Sequence, residues 1–295
     1  MSKFMPVPAL CLALLSCTVF AADSTPKPDT SGKLLLDARW RLESVDDDLF
    51  IRKAFADTVR LRLGYQTATY HGFSGTVALE GTSFLVADDF NSTANGKTQF
   101  PVIADPNAYE LDLAYLSYAP NENGKFNLGR QRIMIDNQRF FGNVGWRQNE
   151  QTFDAIDLNY KFGKNFVVRY DYINRVQRVF GAENPNEDLY RWNLNLNLFH
   201  ADYSYGPSKF TGYAYLNENE TLPQTSQKNF GVRYVFNKTT SNGMGWLGTA
   251  EYAKQDSYAD GASKIDADYL FFEGGLVYKG NTFKAGYEQL GGDGK

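Results

Sequence analysis

Arginine recurs in this sequence at spacings that place several guanidinium groups on one side of an extended chain. Arg39 and Arg41 alternate with Ala38, Trp40 and Leu42, and Arg60 and Arg62 alternate with Val59, Leu61 and Leu63. Residues two apart share a face of a β-strand, so each basic pair projects one way and its apolar neighbours the other. Folding the first hairpin about Phe50 and Ile51 sets Arg39 opposite Arg62 and Arg41 opposite Arg60. Like charges across a strand pair are unfavourable unless water, carboxylates or an anionic solute offsets them. Glu80, Glu110 and Asp112 keep the same phase on later segments and supply such carboxylates, while Arg169, Arg191 and Arg233 continue the basic series. The planar guanidinium fork suits carboxylate ligands because it donates two parallel hydrogen bonds and stays charged at any working pH. Two readings stay open: a mixed, charge-balanced wall around water, or a track favouring anionic solutes.

The most unusual stretch is 129–155, with Arg130, Arg132, Arg139 and Arg147, no lysine, and only Asp136, Glu150 and Asp154 as acids. It is too long for a tight turn and rich in aromatic residues. Either it folds inward and narrows a pore, as loops do in plugged barrels, or it packs on itself as an ordered outer loop.

Catalytic and metal chemistry find little support. His71 and His200 are the only histidines, which excludes a His-rich metal centre. His200, Asp202 and Ser204 alternate along one strand face, but collinear residues do not converge as a hydrolytic triad must. Asp46, Asp47 and Asp48, with Asp88 and Asp89, read as solvated acidic loops or, less well, as calcium ligands. Asn193, Asn195 and Asn197 form a row expected to face inward, compatible with sugar hydroxyls or with water. Glycines occur in no phosphate-binding context, and no cofactor is implied.

The elements that must position these residues follow from the same alternation. Thirteen segments with period two are expected near 33–44, 57–68, 74–85, 108–119, 125–133, 152–162, 166–174, 189–202, 209–217, 229–237, 245–255, 267–278 and 282–289. No segment has a helical period. Connections after odd-numbered segments are long and those after even-numbered ones short, the layout of an up-and-down antiparallel sheet with its long loops at one end. Each of the six short turns is flanked by aromatics: Tyr70 and Phe73, Tyr118 and Phe126, Phe162 and Phe166, Tyr205 and Phe210, Phe236 and Trp246, Tyr278 and Phe283. Rings concentrated at one end of the strands mark a membrane interface. The fold expected is an all-β transmembrane barrel, with Leu61, Leu63 and Leu113 among the residues facing lipid.

Composition agrees. The chain has 295 residues, 43% of them hydrophobic and 15% aromatic. A mean hydropathy of -0.44 excludes a bundle of membrane-spanning helices, and the aromatic content excludes a disordered chain. A net charge of -4 gives no support to a nucleic-acid partner. Residues 1–21 read as a signal peptide: Lys3 precedes an apolar run from Val7 to Phe20, and Val19-Phe20-Ala21 offers a cleavage site before Ala22. Acylation at Cys17 fits less well, because Leu15 is poor at that site. Cys11 and Cys17 both lie in this leader, so no disulfide or thiolate ligand is expected beyond it. Residues 22–32 read as a polar linker and 33–295 as the barrel.

The stretch Gly129-Arg130-Gln131-Arg132 through Trp146-Arg147-Gln148-Asn149-Glu150-Gln151-Thr152-Phe153-Asp154, with the closing Gly286 to Lys295, resembles the alginate export family of outer-membrane porins. That resemblance implies a monomeric barrel of about 18 strands with an arginine-rich, electropositive pore, carried here by the arginines of 130–147 and the strands. It does not carry over the polymer itself. Thirteen strands fall short of that number, and the expectation is that about five C-terminal strands are missing, because an open sheet would leave backbone groups unpaired in hydrocarbon. The function expected is passive passage or export of small anionic or saccharide solutes across the bacterial outer membrane, with outer-membrane lipid around the barrel and a periplasmic export partner as an open option. The rivals are a non-conducting adhesin or receptor and an outer-membrane hydrolase.

Overall fold

Alternating apolar and polar residues can satisfy one wet and one dry face only by pairing into a sheet, and the described chain does so along nearly its whole length. A computed structural model describes residues 31–240 and 243–292. The expected leader, residues 22–30 of the linker, and Asp293, Gly294 and Lys295 lie outside the described residues.

Thirteen strands form one antiparallel sheet in sequence order. They are β1 (Lys33–Val45), β2 (Ala54–Gln66), β3 (Phe73–Asp89), β4 (Ala108–Asn121) and β5 (Gly124–Gln131). Then follow β6 (Thr152–Phe162), β7 (Phe166–Gln177), β8 (Arg191–Tyr205) and β9 (Ser208–Asn219). The last are β10 (Gln227–Thr239), β11 (Gly245–Ser257), β12 (Asp266–Tyr278) and β13 (Asn281–Leu290). Every expected segment is a strand, with its ends moved by a few residues. Among the described residues the helical turns are α1 (Glu187–Tyr190), capped by the Asn186 side chain, and a 3-10 turn at Pro223–Thr225.

The two faces have opposite chemistry, and the apolar one is outside. Leu61 and Leu63 are each 52% exposed, whereas Arg60 is 4%, Glu80 3% and Asp112 3% exposed. A water-soluble protein shows the reverse; a barrel in lipid shows this. Aromatic residues meet at the short-turn end, where Phe73 stacks on Tyr118 at 4.2 Å and Phe210 lies 5.0 Å from Tyr234.

Three expectations about facing and register are corrected. The first hairpin is displaced by two residues: Arg39 lies opposite Arg60, Arg62 opposite Asp37 and Arg41 opposite Thr58. The Asp47 carboxylate accepts from the Leu49 amide at 2.9 Å and the Asp47 carbonyl accepts from the Phe50 amide at 3.0 Å, which centres the turn earlier than Phe50 and Ile51. A shift of two keeps every side chain on its face and replaces two like-charge pairs by one.

Leu113 faces the interior, not lipid. Leu111 pairs with Leu79 and Leu113 with Ala78, so Asp112 is the extra residue of a β-bulge. Beyond it the phase inverts and Leu113 falls to 4% exposure. On β8 the expected faces are exchanged: Leu194, Leu196 and Leu198 are buried inside, and the Asn193, Asn195 and Asn197 row turns outward. Asn197 there accepts from the Tyr170 hydroxyl at 2.8 Å.

Candidate functional site

Residues 132–151 connect β5 to β6 by way of the interior. Their partners lie on β1, β2, β3 and β4 to one side and on β8, β9 and β12 to the other, so the sheet curls around this segment. Of the two readings of 129–155, the inward one describes the structure. Val144 adopts φ 52°, a left-handed conformation costly for a β-branched residue, and Asp136 and Gln138 adopt φ 50° and 60°. Such backbone persists only where its surroundings over-determine it.

The first set of anchors is a row of neutral amides. Gln148 and Asn149 are fully buried. Gln148 Nε2 donates to the Thr58 carbonyl at 3.0 Å and to Thr58 Oγ1 at 2.9 Å, and its Oε1 accepts from Arg39 Nε at 2.9 Å. Its backbone amide donates to Asp105 Oδ1 at 2.8 Å. Thr82 Oγ1 donates to Asn149 Oδ1 at 2.8 Å. Arg39 also donates to the carbonyls of Gly145, at 2.8 Å, and Arg147.

Beneath this row lies a buried lattice of charges. Glu80 sits directly opposite Glu110 in the β3–β4 register. Arg62 joins Glu80, Asp112 at 3.5 Å and Glu150 at 3.3 Å. Arg132 donates to Asp112 at 3.0 Å and pairs with Glu150, while Arg60 is held by Asp37. Asn143 Nδ2 donates to Glu150 Oε2 at 2.7 Å. Burial pushes the Glu150 carboxyl up, but the Arg132 hydrogen bond and the charges of Arg62 and Arg132 outweigh it and hold the group below the ordinary glutamate value.

The opposite flank of the loop is apolar. Phe140 packs 5.6 Å from Tyr213, 5.9 Å from Tyr215 and 5.8 Å from Tyr269, and Phe141 meets Tyr215 edge-on at 5.1 Å. Ile133 and Ile135 join Leu194, Leu196 and Leu198 in the same cluster, which explains why β8 turns leucine inward. Asp136 accepts from or pairs with His200 Nε2 at 3.0 Å and lies 3.5 Å from Lys209. Burial raises the Asp136 carboxyl, yet the His200 hydrogen bond and the nearby His200, Lys209 and Arg233 charges bring it below the usual aspartate value.

The expected site residues therefore divide. Arg39, Arg41, Arg60, Arg62, Glu80, Glu110, Asp112, Arg132, Arg139, Arg147, Arg169 and Arg233 are interior. Arg169 is clamped between Asp157 at 2.7 Å and Asp171 at 2.8 Å, and Arg233 is paired with Glu251. Arg130 is corrected to the outer face: Leu128 before it is exposed, and its partner Asp154, at 2.7 Å, lies between buried Phe153 and Ala155. Arg191 is corrected to the outer rim, where it pairs with Glu187 of α1. Neither can line a lumen.

Among the interior arginines, Arg132 and Arg139 are about one-third exposed at the side chain. Arg139 lies 5.3 Å above the Tyr269 ring and 3.8 Å from Glu288. Trp146 is 59% exposed, with Arg147 4.0 Å and Arg41 5.2 Å from its ring centroid. Glu43 and Asp105 hold both of these guanidinium groups. Sequence reasoning missed Thr58, Thr82, Asp105, Gln148 and Asn149 as anchors, since neutral side chains at alternate positions carry no distinguishing spacing. The arrangement offers charge, hydrogen bonding and ring stacking. His200 is committed to Asp136, and Asp202 lies 3.9 Å from its other nitrogen.

The family model described as alginate export matches residues 33–235. No curated protein matches the sequence. Among solved structures, Acinetobacter baumannii OccAB3 is 12% identical with a TM-score of 0.70, over 89% of this chain and 67% of that one. Acinetobacter baumannii OccAB2 is 16% identical with a TM-score of 0.68, over 90% and 69%. Pseudomonas aeruginosa OpdK, an outer membrane protein determined with vanillate, is 10% identical with a TM-score of 0.66, over 89% and 67%. The chain thus spans about two-thirds of the length of these structures, and 60% of Pseudomonas aeruginosa OccD3.

Proposed function

This chain belongs to the alginate export family, a family of non-enzymatic outer-membrane channels, and we propose that it passes small anionic or saccharide solutes, with arginines around an inward loop as the selecting groups. The observation that carries this is the division among those arginines. Arg60 and Arg62 face the buried Glu80, and Arg62 and Arg132 share Asp112 and Glu150, so these three hold the loop, whereas Arg139 is about one-third exposed and Arg41 and Arg147 flank the exposed ring of Trp146. An exposed indole ring backed by two guanidinium groups offers positive charge to a carboxylate and a face that stacks on a flat ring or a sugar. The vanillate with which OpdK was determined is itself a small carboxylate.

Planar-bilayer recording tests the reading. The protein should conduct, and its reversal potential in a salt gradient should show anion preference that weakens when Arg41 and Arg147 are changed to Gln. Absence of current in any salt would favour an adhesin or receptor. Cation preference unaltered by these substitutions would remove the arginines from the selective role.

A further inference from the structure

The outer face of β5–β8 carries two arginines close to the long-loop ends of the strands, Arg130 on β5 and Arg175 on β7. Alternation alone would send Arg175 inward after Asp171 and Ile173, both fully buried. It turns outward because Asn174 pairs with neither neighbouring strand: the register of β7 shifts between Ile173 and Arg175 against β6 and β8 alike. A bulge of this kind re-aims the side chain beside it. Arg175 therefore stands opposite Asp154 and Asn193 on the outer face.

The charges gathered there do not cancel. Arg130 takes both oxygens of Asp154, at 2.7 and 3.1 Å, and gives a further N–H to the Leu111 carbonyl at 3.0 Å. Gln177 Nε2 also donates to Asp154, at 3.2 Å. Arg175 Nη1 lies 3.9 Å from the same carboxylate, beyond hydrogen-bond length, and Nε alone finds an acceptor, Asn193 Oδ1 at 3.1 Å. Two guanidinium groups thus share one carboxylate, and the terminal amino groups of Arg175, whose side chain is 38% exposed, donate to nothing among the described residues. Glu218, on the same face of β9, is taken by Asn195 Nδ2 at 2.8 Å. An open guanidinium fork suits a phosphate, to which it gives two parallel charge-assisted hydrogen bonds, and basic side chains at headgroup depth bind anionic headgroups. Long loops mark the outer leaflet of a bacterial outer membrane, where the headgroup is a phosphorylated glucosamine. Asn174 and Asn193, both exposed, place amides beside Arg175 that suit the hydroxyls of such a sugar.

We propose that Arg175, with Arg130, binds a phosphate of a glucosamine-based glycolipid of the outer leaflet. Native mass spectrometry of the full chain, incubated in detergent with doubly phosphorylated lipid A, its dephosphorylated form or phosphatidylglycerol, tests it. The protein should retain one phosphorylated lipid A and neither of the other two. Arg175→Gln should reduce that retention by roughly tenfold, and Arg175→Lys, which keeps the charge without the fork, should fall between. Arg191→Gln is the control, since Arg191 also lies on the outer rim but is matched by Glu187, and it should retain lipid A as the wild type does. Heat-modifiable migration on gels reports folding, and Arg130→Gln removes the other positive charge should Arg175→Gln fail to fold. Equal retention by the wild type and the folded Arg175→Gln or Arg130→Gln protein would overturn the proposal. An equal loss in Arg191→Gln would do so too, by reducing the effect to net charge, and equal retention of phosphatidylglycerol would overturn the assignment to a glycolipid.

Discussion

Replacing Glu150 by Gln keeps the size of the side chain and removes one charge from the lattice that holds the inward loop. Glu150 is 4% exposed and faces Arg62 at 3.3 Å, Arg132, and the Asn143 amide at 2.7 Å. Breaking a buried ion pair from one side costs about 3 kcal/mol at the low end of the usual range, and the low end applies because Glu80 and Asp112 still face Arg62 and Arg132. Nearly all of that cost falls on the loop-in arrangement, since a released loop places the residue in water. The ratio of loop-in to loop-out states should fall by roughly two orders of magnitude. Hydrogen exchange of the 132–151 amides should accelerate, and single-channel recordings should show larger, noisier conductance. Asp154→Asn, on the outer face, should change neither quantity. Unchanged exchange and conductance in Glu150→Gln would refute the assignment of this lattice as the anchor of the loop.

The same geometry makes further predictions. Arg130→Gln should leave ion selectivity as in the wild type while Arg147→Gln moves the reversal potential toward cation preference, because only Arg147 is interior; equal shifts in the two would contradict the assigned faces. Acid should release the loop: a carboxyl held below its unfolded value contributes stability above that value and loses it as pH falls through the folded one. The Glu150 contribution is therefore complete at neutral pH and declines only below about pH 4, read as conductance noise against pH, and loop release near pH 6 would count against it. Leu198→Ala, at a fully buried position against the loop, should destabilise by about 2–5 kcal/mol in denaturant unfolding, whereas Leu61→Ala on the bilayer face should cost about 1 kcal/mol or less; the reverse order would invert the faces.

Strand positions were legible because alternation is a local property: Leu61 and Arg60 declare opposite faces without reference to the rest of the chain. Which face points inward is a global property, and there a single rule, apolar outward, misassigns β8. Asn193, Asn195 and Asn197 turn outward because Leu194, Leu196 and Leu198 are needed inside against Ile133, Ile135 and Phe140. That requirement arises from a loop that joins strands far away in sequence. The bulge at Asp112 was equally silent, since one extra residue inverts the phase of Leu113 without altering composition. Arg130 looked lumenal by its neighbours in sequence, yet the short strand β5 places it with Asp154 outside. The resemblance of 129–155 to the alginate export family located the loop that carries the candidate site, but periodicity could not say whether it turned inward, because residues 132–151 lack one.

The most direct test of the inverted polarity is depth-dependent quenching by spin-labelled lipids of a fluorophore placed on single cysteines in reconstituted protein. Labels at positions 61 and 63 should be strongly quenched, and labels at 113 and 198 should be insensitive to the lipid quencher. Quenching at 113 and 198 with none at 61 and 63 would contradict the account.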